Sequence, residues 1–118
     1  MSSSAKTIFY FGLYLYVVGA TLLFIPNFFL KTIQLPETNE VWIRVVGILT
    51  LCIAYYYHRN GAANNKPMFG FTVHARVFVC VAFAGLVLLK LAPPILAGFG
   101  GVDLLGAIWT WQALRKEG

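Results

Sequence analysis

Arg44, Arg76 and Asp103 are permanently charged side chains standing inside otherwise apolar stretches. A charge at bilayer depth costs about 3 kcal/mol on insertion scales unless a partner or trapped water offsets it, and such residues mark function by default. Three kinds of chemistry follow from this set. An Arg–Asp pair can simply lock two helices together. Two guanidinium groups against one carboxylate leave an excess positive charge, able to receive a polar or anionic head group. Asp103, with His74 or Tyr14, is also equipped to move a proton.

Four apolar stretches, about 7–25, 41–58, 69–89 and 95–114, must position these groups. Each is long enough to cross a bilayer, which takes about 20 residues. The expected fold is therefore an all-α, transmembrane four-helix bundle forming one integral membrane domain over residues 1–118. The Pro26-Asn27 turn signal ends the first stretch. Residues 28–39, with Phe28, Phe29, Leu30, Ile33 and Leu35 among polar neighbours, read as a segment lying in the headgroup region. Thr38 or Asn39 is expected to cap the second helix, residues 59–67 to form a hairpin connection, and Pro94 to open the fourth helix.

Helical periodicity gives each stretch one polar or small-residue seam. The seams are Tyr10, Tyr14 and Thr21; Arg44, Gly47, Tyr55 and His58; Thr72, Arg76 and Cys80; and Gly100, Asp103, Gly106 and Thr110. At 1.5 Å rise per residue, Arg76 and Asp103 lie roughly 10 and 15 Å from the boundary nearer the termini, with Tyr14 close to Arg76 in height. Arg76 is thus the expected partner of Asp103, with Arg44 a second donor from the opposite side. The candidate ligand-binding residues are Arg44, Arg76, Asp103, Tyr14, His74 and Tyr55. Of the costly glycines Gly98, Gly101 and Gly106, at least Gly106 is expected to face another helix.

Composition agrees with a membrane protein. The chain is 59% hydrophobic and only 11% charged, against about 25% charged in soluble domains. Its net charge of +5 fits the bias of cytoplasmic loops towards Lys and Arg rather than nucleic-acid binding, since no basic cluster stands on a soluble surface. Lys6, Arg59, Lys66, Arg115 and Lys116 fall on one side, Lys31 and Lys90 on the other. Both termini are therefore expected in the cytoplasm. Tyr56, Tyr57, Trp109 and Trp111 suit the inner aromatic belt, and Trp42 the outer. The first stretch exceeds the h-region of a signal peptide and reads as a retained helix. Cys52 and Cys80 share a depth without a Cys-x-x-Cys motif, and with His58 and His74 they lack metal-site spacing, so no metal is expected. No phosphate loop, nucleophile motif or dinucleotide fingerprint is present.

The order Phe24-Ile25-Pro26, Trp42-Ile43-Arg44-Val45-Val46-Gly47, His74-Ala75-Arg76 and Asp103-Leu104-Leu105-Gly106-Ala107 resembles that of the DoxX-like small four-helix bacterial membrane proteins. The resemblance covers nearly the whole chain through few polar positions. It implies a multi-pass protein of the bacterial inner membrane. The group is linked to quinone-coupled oxidoreductases, thiol redox partnerships and membrane-protein assembly. The leading expectation is a non-catalytic bundle that binds a lipid, quinone or other small hydrophobic molecule, or acts as an accessory subunit to a membrane partner or a second copy. An oxidoreductase subunit or proton-transferring enzyme, and a small dimeric transporter, are the alternatives.

Overall fold

A computed structural model describes residues 1–118 as an all-helical chain of five helices without strands: α1 (Ser3–Phe24), α2 (Pro26–Thr32), α3 (Trp42–Ala62), α4 (Lys66–Leu88) and α5 (Ile95–Glu117). The four long helices match the four apolar stretches. α1 and α4 are long and apolar enough to cross a membrane. α3 and α5, at 21 and 23 residues, have comparable length but carry more polar residues.

Local chemistry explains the boundaries. The Ser2 hydroxyl accepts a hydrogen bond from the Ala5 amide and caps α1. Pro26, which has no N–H to donate, sits at the first position of α2 and breaks the path from α1. The loop after α2 is tied back when the Thr38 amide donates to Asn27 Oδ1. Neither Thr38 nor Asn39 caps α3: its cap residue is Val41, with no side-chain bond. Thr38 instead accepts locally from the Glu40 amide. The 59–67 connection is shorter than the sequence suggests, because α3 continues to Ala62 and α4 begins at Lys66. Pro94 occupies the cap position of α5.

Gln34, Asn64 and Lys90 have left-handed backbones with φ of 62°, 55° and 61°. Each follows a helix end closed by a six-residue backbone bond, Leu35 N to Leu30 O, Asn65 N to Asn60 O and Leu91 N to Leu86 O. These are Schellman closures, which satisfy the last helical carbonyls and favour glycine at the left-handed position.

The packing is uneven. α1 packs along the length of α3, and α4 along α5; α1 also meets α5 and, less extensively, α4. No comparable interface joins α3 to α4 or α5. The molecule measures 45 × 30 × 18 Å, far from the equal cross-section of a closed square bundle with axes about 9 Å apart. It is a trough, with α1 and α5 as floor and α3 and α4 as walls.

The α1–α3 interface depends on glycines that the sequence reading largely passed over. A Cβ at Gly47 would stand 2.7 Å from the Leu23 amide nitrogen, and one at Gly19 would stand 3.0 Å from Gly47 O. Gly12 and Gly61 meet backbone atoms of the opposite helix at 3.1 and 3.0 Å. The buried face of α1 is correspondingly Ala5, Ile8, Phe11, Gly12, Gly19 and Leu22. Tyr10 lies exposed outside it, and Thr21 bonds back to Val17 O.

Candidate functional site

Two cavities of about 390 and 500 Å³ run along the trough. They share Leu15, Thr50, Phe83 and Asp103, one residue from each of the four long helices. The two volumes are therefore one cleft with a waist at these side chains. Towards α2 the cleft is walled almost wholly by apolar groups, among them Leu22, Phe29, Leu30, Leu96 and Phe99, with Tyr14 at the side. Phe29 stacks on Phe99 with ring centres 5.6 Å apart, closing the α2 end against α5. Towards the termini Tyr57, Thr72 and Arg76 stand in its wall among apolar groups.

Arg76 is only 2% exposed. Its Nε donates to Thr72 O, and its Nη2 donates to Thr72 Oγ1 at 3.0 Å and to Thr110 Oγ1 at 2.8 Å. The guanidinium also lies over the rings of Phe11 and Tyr57, at 4.8 and 5.6 Å, where the negative ring face attracts a cation. Nη1 has no partner. A Cβ at Gly106 would stand 2.9 Å from Nη1, so Gly106 does face another helix and makes room for this group. Gly98 and Gly101 have open space beside them.

The polar bonds continue beyond Arg76. Thr110 Oγ1 lies 2.7 Å from Thr7 Oγ1, and Thr7 donates its one hydroxyl hydrogen to Ser4 O. Thr110 must then donate to Thr7, which fixes the chain's sense: Arg76 to Thr110 to Thr7 to Ser4.

Asp103 is partly exposed in the cleft and accepts no hydrogen bond from the protein; the single salt bridge of the molecule is elsewhere. The expected Arg76–Asp103 contact pair is thus not formed. Both line the same cavity, but their charged atoms stay more than 4.0 Å apart. Arg44 is also corrected. Its Nη1 donates to Leu23 O, at the end of α1 where Pro26 interrupts helical bonding, and it lines neither cavity. A cation at a helix C-terminus is favoured by the helix dipole. Tyr55 is 53% exposed, lines neither cavity and lies edge-on to His58. His74 is exposed, outside the cleft. Tyr14 and Asp103 line the cleft. Tyr57 belongs to it as well, although an aromatic next to two other tyrosines reads in sequence as a membrane-belt residue. The thiols of Cys52 and Cys80 are free, and no three His, Cys, Asp or Glu side chains converge to hold a metal.

A second polar cluster closes the termini end. Ser4 donates to Glu117 through both its amide and its hydroxyl, and Lys66 Nζ lies 3.3 Å from the same carboxylate. Glu117 thereby supplies the acidic group that the first turn of α1 lacks. The Ser4 hydroxyl, its amide and the neighbouring Lys66 hold the carboxyl below the usual carboxylate range. A lowered folded-state pKa stabilises above the unfolded value, and that stability disappears as pH falls through the folded value. Glu117→Gln is expected to cost about 1 kcal/mol at neutral pH. The melting temperatures of variant and wild type should draw together as the pH falls below the unfolded carboxylate value of about 4.3. A gap that does not narrow at all as the pH is lowered would assign the loss to packing instead.

No family model, curated protein or solved structure matches the chain.

Proposed function

We propose that this chain is an integral membrane protein whose four long helices all span the bilayer, and that it binds a lipid-like amphiphile in the trough. The observation that carries the reading is the waisted cleft, apolar at the α2 end and open between α3 and α4, with one carboxylate at its centre. Cavities of about 300–1,000 Å³ lined by apolar groups with few polar ones are the common form of small-molecule sites.

The outer surface supports the membrane setting. Only 22 of 118 residues are buried, and α3 and α5 also expose large apolar side chains. Ile48, Leu49, Leu105 and Ile108 point outward, with Leu105 68% exposed. Contiguous apolar surface of this kind marks contact with lipid or protein rather than water. Arg76 is turned inward, and the remaining basic groups lie near helix ends. The positive charges gathered with both termini favour a cytoplasmic location for that end, in the bacterial inner membrane that the DoxX-like motifs imply.

In this reading a ligand enters sideways from the bilayer, passes between α3 and α4, lays its chain towards α2 and leaves its polar end at Asp103. The test is native mass spectrometry of protein released from nanodiscs after annular lipid has been stripped. Wild type is expected to keep one amphiphile per chain, and Thr50→Trp, which fills the waist, to lose it while remaining folded. A wild type without adduct, or a Thr50→Trp variant that keeps the same adduct, would rule the reading out.

A further inference from the structure

We infer that the head-group position of the cleft selects an uncharged, hydroxyl-bearing end, such as the glycerol of a monoacylglycerol. The inference rests on the proposed amphiphile site and adds the chemical class of its occupant.

The first argument is charge. Asp103 and Arg76 are the only charged groups lining the two cavities, one of each sign. The other cation that the sequence offered to an anionic ligand is elsewhere: Arg44 is bound to the end of α1. The excess positive charge expected of two guanidiniums and one carboxylate is therefore absent from the cleft. An anionic head group at the waist meets Asp103, and a cationic one approaches Arg76.

The second argument is hydrogen bonding. Asp103 accepts nothing from the protein, and Arg76 Nη1 donates to nothing. The two threonine hydroxyls of the cleft are already committed, whereas the Tyr14 hydroxyl in its wall has no partner in the protein. Thr50 donates to Val46 O, and Thr72 donates to Phe69 O. The protein thus offers the cleft a carboxylate without a donor and a free phenol hydroxyl, while the unpartnered Arg76 Nη1 stays enclosed behind Phe11 and Gly106. A hydroxyl both donates and accepts. A head group with two hydroxyls donates one to Asp103 and can pair the other with the Tyr14 hydroxyl in the same wall. Ethers, esters or hydrocarbons alone leave Asp103 without a partner.

The test uses the full chain in phosphatidylcholine nanodiscs and three probes with the same oleyl chain: 1-oleoylglycerol, oleyl sulfate and oleyltrimethylammonium. Competition is read by native mass spectrometry. Wild type is expected to retain the glycerol ester about tenfold better than either charged probe, since one like charge a few ångströms away in a medium of effective dielectric about 20 suffices for that factor. Asp103→Asn leaves the Arg76 charge alone in the cleft and breaks no protein hydrogen bond. It should raise oleyl sulfate binding about tenfold relative to the glycerol ester. A wild type that prefers a charged probe, a ranking without charge dependence, or an Asp103→Asn variant with the wild-type ranking would overturn the inference while leaving the amphiphile site in place. Failure of all three probes to bind wild type would remove the proposed site, and the inference with it.

Discussion

Gly47→Val is expected to lower stability by about 3 kcal/mol, the upper end of what overpacking usually costs. A Cβ at this position meets the Leu23 amide nitrogen at 2.7 Å, Gly19 O at 2.9 Å and Leu22 C at 3.0 Å. All three are backbone atoms, so no side-chain rotation relieves the clash; α3 must move away from α1. Moving it also pulls Arg44 from Leu23 O, because Arg44 lies one turn away on the same helix. The control is Gly98→Ala, where an added Cβ meets nothing within 4 Å and removal of a helical glycine gains a few tenths of a kcal/mol or more. Thermal unfolding in one detergent checks both. Equal melting temperatures for the two variants would show that the α1–α3 contact is looser than described.

At Arg76, lysine is expected to be a worse replacement than methionine. Lysine keeps a buried charge but lacks the planar fork that reaches Thr72 Oγ1 and Thr110 Oγ1 together and lies over Phe11. An ammonium there is left with one or two donors placed and the rest unsatisfied, a loss of about 2–3 kcal/mol. Methionine removes the same bonds and also the charge, while its stem still fills most of the space between Phe11 and Tyr57. Replacing a buried charge by a well-packed apolar group is often nearly neutral, so its loss should stay near 1 kcal/mol. Since Asp103 is not in contact with the guanidinium, neither variant strands a paired carboxylate. If methionine proved far more damaging than lysine, the charge itself would be paired, and the separation of Arg76 from Asp103 would be wrong.

The sequence made the helices legible, because long apolar runs broken by Pro26, by the asparagines near 64 and by Pro93-Pro94 leave little freedom in assignment. It also identified Thr72, Arg76, Gly106 and Thr110 as inward-facing, since i, i+3 and i+4 spacing places them on one face of each helix. It misplaced Arg44 and Tyr55, because periodicity reports which residues share a face and not which face finds a neighbour. The α1 seam failed for the same reason: tyrosine hydroxyls drew attention while glycines made the contact. His74 enters the candidate set for its chemistry alone, since its spacing sets it on a different face from Thr72 and Arg76. Glu117 carried no signal at all, because its partners Ser4 and Lys66 lie 113 and 51 positions away. The resemblance motifs acquire a physical meaning in the fold. Pro26, Arg44 and Gly47 build one corner where α1 ends against α3, and Arg76 with Gly106 builds the contact between α4 and α5.

The distribution of bonds between the two helix pairs makes the molecule a lever. Ser4 with Glu117 and Thr7 with Thr110 fasten α1 to α5 near the termini, and Arg76 over Tyr57 links α4 to α3 at that same end. At the far end the pairs touch through the Phe29–Phe99 stack and other apolar contacts, which slide without breaking a hydrogen bond. Bending is therefore pivoted at one end and free at the other. Over an arm of about 30 Å, the length of α3, a rotation of about 10° displaces the tip by about 5 Å, roughly the width of a hydrocarbon chain. The aperture widens where the cleft is most apolar, and the polar fastening at the pivot scarcely moves.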